Sequence, residues 1–330
     1  MKYFVTLLFV STALHAQVVA FSGKNVVVAH DRRIDLFDPS GHTLLTSEGV
    51  SRPSQVAVDA SHIAVIDSLA NEVAMVNTIN RQHDRFRTGE TPVDIAFVRG
   101  DLFVLDRDAA RVEKYKSLSV DVAADPSFVR AANNMLYVYS RLEGIVQEID
   151  PATLRITRTI ALPPFASDFE VDASTGYLVY PRDARLRTFS LETMQRSGDI
   201  AAGVVPVDIA IASRANALSA SRLAIADPSA KRVWMVEGEQ SVAKAVVRGF
   251  LRGLLGLGLF RPKSSQFPTG VDRVLTRGSV TVAYDSSSET LYRVNGAKST
   301  VVAHGIGPAA FAVGENVVAV WENGALRLIR

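Results

Sequence analysis

Thr91–Phe97 reads TPVDIAF and Val205–Ile211 reads VPVDIAI. Pro92 and Pro206 stand 114 positions apart, which is three times 38. A segment that returns at a multiple of about forty residues marks a tandem array, and periods of roughly 20–50 residues belong to solenoids and propellers. Related segments start at Pro53 (PSQVAV), Pro126 (PSFVRA), Ser167 (SDFEVD, without the proline), Pro268 (PTGVDR) and Pro308 (PAAFAV). Successive starts differ by 39, 34, 41, 39, 62 and 40 residues, so the step of 62 carries an insertion of about 22. An eighth copy, VVAFSGKNVVVAHDRRIDLF from Val18, matches the unit from Pro308.

Each unit holds three or four short runs rich in Val, Ile, Leu, Tyr and Phe, broken by Gly, Asn, Asp and Ser. In the unit from Pro92 the runs are Ile95–Phe97, Leu102–Leu105, Val112–Tyr115 and Val120–Val122. They are too short for the 3.6-residue spacing of amphipathic helices and have the chemistry of strands and turns. Four antiparallel strands per unit of about 40 residues make a propeller blade. The expectation is an all-β chain, one propeller domain over residues 17–330 with eight four-stranded blades, or seven if the unit from Ser167 is irregular. The unit from Pro308 reaches only its third strand by Arg330. Ring closure is therefore expected from Val18–Phe21 joining the last blade and leaving the first short.

Composition narrows the function. The 330 residues carry a net charge of +2 with both signs interspersed, which disfavours nucleic acid as a partner. The absence of cysteine excludes disulfides, thiolate metal sites and covalent haem attachment. No cofactor is expected. The N-terminus, MKYFVTLLFVSTALHAQ, has Lys2, an apolar stretch Phe4–Leu14 and a small residue at Ala16. It reads as a secretory leader over residues 1–16, too short to span a bilayer. The expected product is a monomer without a transmembrane helix, beginning near Gln17 in a periplasm or outside the cell.

Glu148–Leu162 (EIDPATLRITRTIAL) gives a third strand, a turn and a fourth strand. Ala201–Ile211 (AAGVVPVDIAI) and Thr88–Phe97 (TGETPVDIAF) each lead through Gly and Pro into a first strand. The pattern resembles the YVTN-type propeller repeats of bacterial surface and periplasmic proteins, with NHL repeats close to them. The resemblance covers nearly all of residues 17–330 and implies the fold, not an activity. LYVYS (136–140) and IAVID (63–67) stand where the literal motif would be. The marks of WD40, sialidase-like and pyrroloquinoline-quinone propellers are missing.

Chain reversal at each turn sorts residues by face. The turn between strands two and three and the link to the next blade share one face, here called the link face. Its second-strand ends carry Asp31, Asp67, Asp106, Asp227, Asp285 and Glu322, with Ser140 and Pro181 in two units. An aspartate there accepts N–H bonds from its turn. Asp67, Asp106, Asp227 and Asp285 are also candidates for a cation. Arg107, Arg111, Arg141, Arg182 and Arg185 on the same turns either pair with acids or offer forked contacts to a ligand, and Trp321 lies nearby. His30, His304 and Glu322 form a candidate acid–base group, on the expectation that the two histidines sit in neighbouring blades. Glu170, Asp94, Asp208 and Asp272 fall in first strands, where lactonase-type propellers hold a divalent metal.

The insertion, residues 246–267, is apolar and glycine-rich. It is expected on the link face, as a lid or as a docking loop for a protein or envelope partner through Leu251, Leu254, Leu255 and Phe260. Two functions follow. One is an exported binding or scaffold module that uses the Asp/Arg face and the insertion. The other is a hydrolase or lyase, akin to lactonases or streptogramin lyases, that uses channel acids or histidines.

Overall fold

The computed structural model describes residues 17–30, 32–48, 50–212, 222–237, 263–295 and 297–330. Every sheet is antiparallel, and each is built from strands consecutive in the chain. Blades 1 to 7 cover 18–48, 53–87, 92–121, 126–161, 168–201, 208–266 and 273–304, each with four strands. Blade 8 covers 311–329, with three strands among the described residues. The first strand of every blade contacts the first strand of the next, and that of blade 8 contacts that of blade 1. First strands therefore line a central channel and the ring is closed. The unit from Ser167 is a regular blade, so the count is eight.

The repeated proline has a local reason. Pro53, Pro92 and Pro126 each open a first strand, where a missing N–H costs no ladder bond. Each sits at a bulge: Pro92 opposes Asp106 while Asp94 opposes Leu105. The glycine before it is as necessary. A Cβ on Gly89 would lie 1.9 Å from an Asp106 carboxylate oxygen, and one on Gly203 would lie 2.2 Å from that of Asp227. The second-strand aspartate docks in the space that these glycines leave open.

The core is divided among the junctions, with one apolar cluster at each. In seven of the eight, the fourth strand of one blade, or the residue just after it, covers the next blade. Leu45, Phe86, Val120, Ile160, Ile200, Phe267 and Ala303 do this in blades 1 to 7. The junction of blade 8 with blade 1 holds Val19, Phe21, Val28, Phe37, Ala319 and Trp321 and, among the described residues, no fourth-strand residue.

Two expectations are overturned. Val18–Ser22 does not join the last blade; it pairs with Asn25–His30 inside blade 1. The ring closes by packing, by one bond from the Val19 N–H to the Ala309 carbonyl at 3.0 Å, and by Arg330 reaching the Pro39 carbonyl at 3.3 Å. The insertion also does not follow a fourth strand. Lys263–Gln266 is the fourth strand of blade 6, paired with Arg232–Met235, and Phe267 belongs to the core. The additional chain begins after Glu237 and ends at Lys263, so in sequence it lies between strands three and four of blade 6 rather than after a fourth strand. The polar sequence KSSQ hid this strand. Leu251, Leu254, Leu255 and Phe260 lie outside the described residues, as does Asp31.

Candidate functional site

The channel wall holds a charged cluster built from first strands. Arg130 of blade 4 donates from Nη1 to Asp94 Oδ2 of blade 3 at 2.6 Å and from Nε to Glu170 Oε1 of blade 5 at 2.9 Å. Its Nη2 lies 3.9 Å from Asp168 Oδ1. Asp168 in turn neighbours Asp208 of blade 6 through a carboxyl–carboxyl hydrogen bond. Five ionisable side chains thus join blades 3 to 6 along one arc.

The carboxylates have a second occupation. A first strand presents backbone N–H groups that lack a ladder partner on its channel edge. Asp94 accepts the Val129 N–H at 2.9 Å, Asp168 the Ile209 N–H at 2.9 Å and Asp208 the Val274 N–H at 2.6 Å. Each aspartate so binds the first strand of the next blade. The equivalent positions elsewhere are Val18, Gln55, Phe128, Arg273 and Ala310, so the arc is confined to part of the ring. Asp272 is displaced by one position from the expected phase. Arg273 opposes Tyr284 in its place, and the Asp272 carboxylate bonds to Ser286 instead.

This packing sets the protonation states. Burial pushes Asp94 up, against the pull of Arg130 and two N–H bonds. Burial, and then the Asp168 charge, raise Asp208 well above an ordinary carboxylate. Burial and the neighbouring acids push Glu170 up to about 7 although Arg130 opposes them. Desolvation works against the Arg130 charge, but Glu170, Asp94 and Asp168 hold its proton more firmly than in water.

The second-strand aspartates are spent on their own turns and links. Asp67 accepts N–H bonds from Ser51 and Arg52 of the link and from Leu69 and Ala70 of its own turn. Burial raises its pKa, and these four donors outweigh that and lower it. Asp227 accepts from Val204, Val205, Ala230 and the Trp234 indole. Asp106 accepts from Thr91 and Ala109. Asp285 accepts from Ser287 and Ser288, which bring its pKa down to about 2 against burial. Among the described residues, no three His, Asp or Glu side chains converge as metal ligands.

The proposed histidine group is not assembled. His304 ends the outer strand of blade 7, with Nδ1 3.0 Å from Thr290 Oγ1, and blade 8 separates it from blade 1. His30 pairs with Asp35 at 2.7 Å and its ring lies 4.3 Å from that of Trp321. Glu322 pairs with Arg327 at 3.3 Å. Trp321, 7% exposed, belongs to the ring-closing cluster and offers no surface to a ligand.

The arginines divide. Arg107 lies 3.8 Å from Asp125, and Arg111 bonds to Glu113. Arg141, Arg182 and Arg185 are exposed on the link face of blades 4 and 5. Beside them lie Leu142 (56% exposed) and Phe165 (44%), with the Arg182 guanidinium 5.7 Å from the Phe165 ring. Two cavities open on the other face: one of about 360 Å³ between blades 1 and 2, and one of about 410 Å³ between blades 8 and 1. No helix among the described residues is long and apolar enough to cross a membrane.

The fold has many solved counterparts. The chain is similar to the computationally designed Ika8 protein at 12% identity and a TM-score of 0.68, over 95% of this chain and 96% of that one. It is similar to hydrazine synthase of Kuenenia stuttgartiensis at 14% identity and a TM-score of 0.60, over 92% and 100%. It is also similar to Hsv2 of Kluyveromyces lactis at 8% identity and a TM-score of 0.61, over 88% and 98%. Identities this low establish the propeller and nothing about activity. No family model and no curated protein matches the sequence.

Proposed function

We propose that the chain is a rigid binding module of the YVTN/NHL kind that meets a protein partner through the link face of blades 4 and 5. The observation behind this reading is the division of labour among the polar turns. The described second-strand aspartates are consumed by N–H and hydroxyl donors of their own turns and links. Arg141, Arg182 and Arg185 are exposed around two large apolar side chains, Leu142 and Phe165. Guanidinium groups beside an aromatic ring suit a partner that brings carboxylates and an apolar anchor. The test compares two variants for capture of the partner from extracts of the source cells. One carries Arg141→Glu, Phe165→Ser and Arg182→Glu; the other lacks residues 246–260 of the insertion. Loss of capture in the first alone supports the reading, and loss in the second alone overturns it.

A second reading, a hydrolase or lyase, draws on Glu170, whose pKa near 7 suits acid–base exchange at neutral pH. Turnover of lactone or ester substrates that disappears with Glu170→Gln would support it. Against it stands the engagement of that carboxylate by Arg130.

A further inference from the structure

The cavity of about 410 Å³ between blades 8 and 1 is walled by turns of three consecutive blades. Arg277 comes from the end of the first strand of blade 7, Glu315 and Val317 from the turn between strands one and two of blade 8, and Gly23 and Lys24 from the same turn of blade 1. Leu328 and Arg330, at the end of the third strand of blade 8, complete the wall with Pro39 of blade 1.

The floor is apolar. Phe21 and Val26 are buried in the ring-closing cluster, while Val317 and Leu328 pack against that cluster and keep part of their surface accessible. Gly314 gives the Phe21 ring its place: a Cβ there would lie 3.0 Å from the ring and 2.9 Å from Val317 Cγ1. The rim is cationic. Lys24, Arg277 and Arg330 stand against a single acidic side chain, Glu315. Arg330 is exposed and donates to the Pro39 carbonyl. Arg277 is half-buried, and neither it nor Lys24 has a carboxylate partner among the described residues. A guanidinium that gives up part of its hydration with no carboxylate in return is one that a ligand can complete. The neighbouring cavity of about 360 Å³, between blades 1 and 2, supplies the contrast. It shares Gly23 and has an apolar floor of Leu36, Leu44 and Leu45, but its one cation, Arg81, is balanced by one acid, Asp59.

We propose that the cavity between blades 8 and 1 binds a small amphiphilic carboxylate. Arg277, Lys24 and Arg330 take the head group, and Phe21, Val317 and Leu328 take the apolar body. A guanidinium fork matches a carboxylate, and an apolar cavity of this size with a few polar groups at one side is the common form of a small-molecule site. The body would be short, on the order of eight to twelve carbons. This site is separate from the link face of blades 4 and 5 and does not depend on a partner there.

Decanoate, kept below micelle formation, is the probe. Isothermal titration of the full chain should show one site, with decanoate bound about tenfold more tightly than decylammonium, decanol or butyrate, and with an affinity that falls as salt is added. Lys24→Gln with Arg277→Gln should weaken decanoate about tenfold while leaving the thermal melt unchanged. Arg81→Gln, in the neighbouring cavity, should leave the affinity unchanged. Equal binding of decanoate and decylammonium overturns the assignment. So does a loss caused by Arg81→Gln and not by the pair, and so does binding to phosphatidylglycerol vesicles without binding of the monomeric acid. The comparison of head groups uses the unsubstituted protein and decides the question even if a variant fails to fold. Capture of a partner through the link face should persist with decanoate present.

Discussion

Replacing Glu170 by glutamine should make the propeller less sensitive to pH. The folded-state pKa of Glu170 is raised from 4.5 to about 7. A carboxyl group raised in this way stabilises the fold most when protonated, below its unfolded pKa. That contribution is lost as pH climbs from about 4.5 through about 7, because the folded state must then give up a proton it holds more tightly than the unfolded chain does. A shift of 2.5 units corresponds to roughly 3.4 kcal/mol. The side chain is 31% exposed to the channel, and screening by that water reduces the expected loss to about 2 kcal/mol. Glutamine is close in shape to the protonated acid and still accepts the Arg130 Nε–H. The two proteins should therefore have similar urea midpoints near about pH 5, and the variant should be more stable near about pH 8.5 by about 2 kcal/mol. In thermal melts this is about 4–8 °C for a chain of this class. Parallel stability curves, or a variant that is weaker at high pH, would refute the account of the cluster.

Asp208→Asn keeps an acceptor for the Val274 N–H and removes a strained proton, so it should leave stability at neutral pH within about 1 kcal/mol, whereas Asp208→Ala should cost about 1–3 kcal/mol in urea titrations. Asp227→Ala strips acceptors from three backbone N–H groups and an indole and should lower stability by about 2–4 kcal/mol, with faster amide exchange at Val204 and Val205. Trp321→Ala should cost about 3–5 kcal/mol, and limited proteolysis should then cut first in blades 1 and 8. Gly203→Ala puts a Cβ 2.2 Å from the Asp227 carboxylate and 2.4 Å from Trp234 Nε1 at φ +109 and should destabilise by at least about 1 kcal/mol in a thermal melt, an effect relieved only in part in the Asp227→Ala background.

The blades were legible because short apolar runs, with Gly-x-x-Pro leads such as those of Gly89 and Gly203, return at a near-constant period. Strands of polar composition were not. KSSQ at 263–266 offers no apolar side chain, and missing it put the insertion after the fourth strand of blade 6 instead of before it. Closure was misread for a related reason: nothing in Val18–Ser22 says whether its ladder partner is near or distant in the chain. The channel cluster left a usable trace. Arg130 and Glu170 occupy a position where the other first strands have Ala20, Ala57, Ala96, Ala210, Leu275 and Ala312, and a charge in that apolar slot signals a partner across the channel. Its partners could not be read, because they come from four blades and only the ring's curvature brings them together. His30 and His304 show the converse, since equivalent-looking strand ends were separated by a whole blade.

Seven junctions of this ring are covalently continuous through a link and overlapped by an outer strand. The eighth, among the described residues, is held by side-chain contact, one main-chain bond and one arginine. A closed band with one weaker fastening has a preferred place to come apart. Heating or pulling should turn the disc into an open arc before any sheet melts, and a clamp engineered across blades 8 and 1 should delay unfolding of the whole molecule more than the same clamp placed between any other pair.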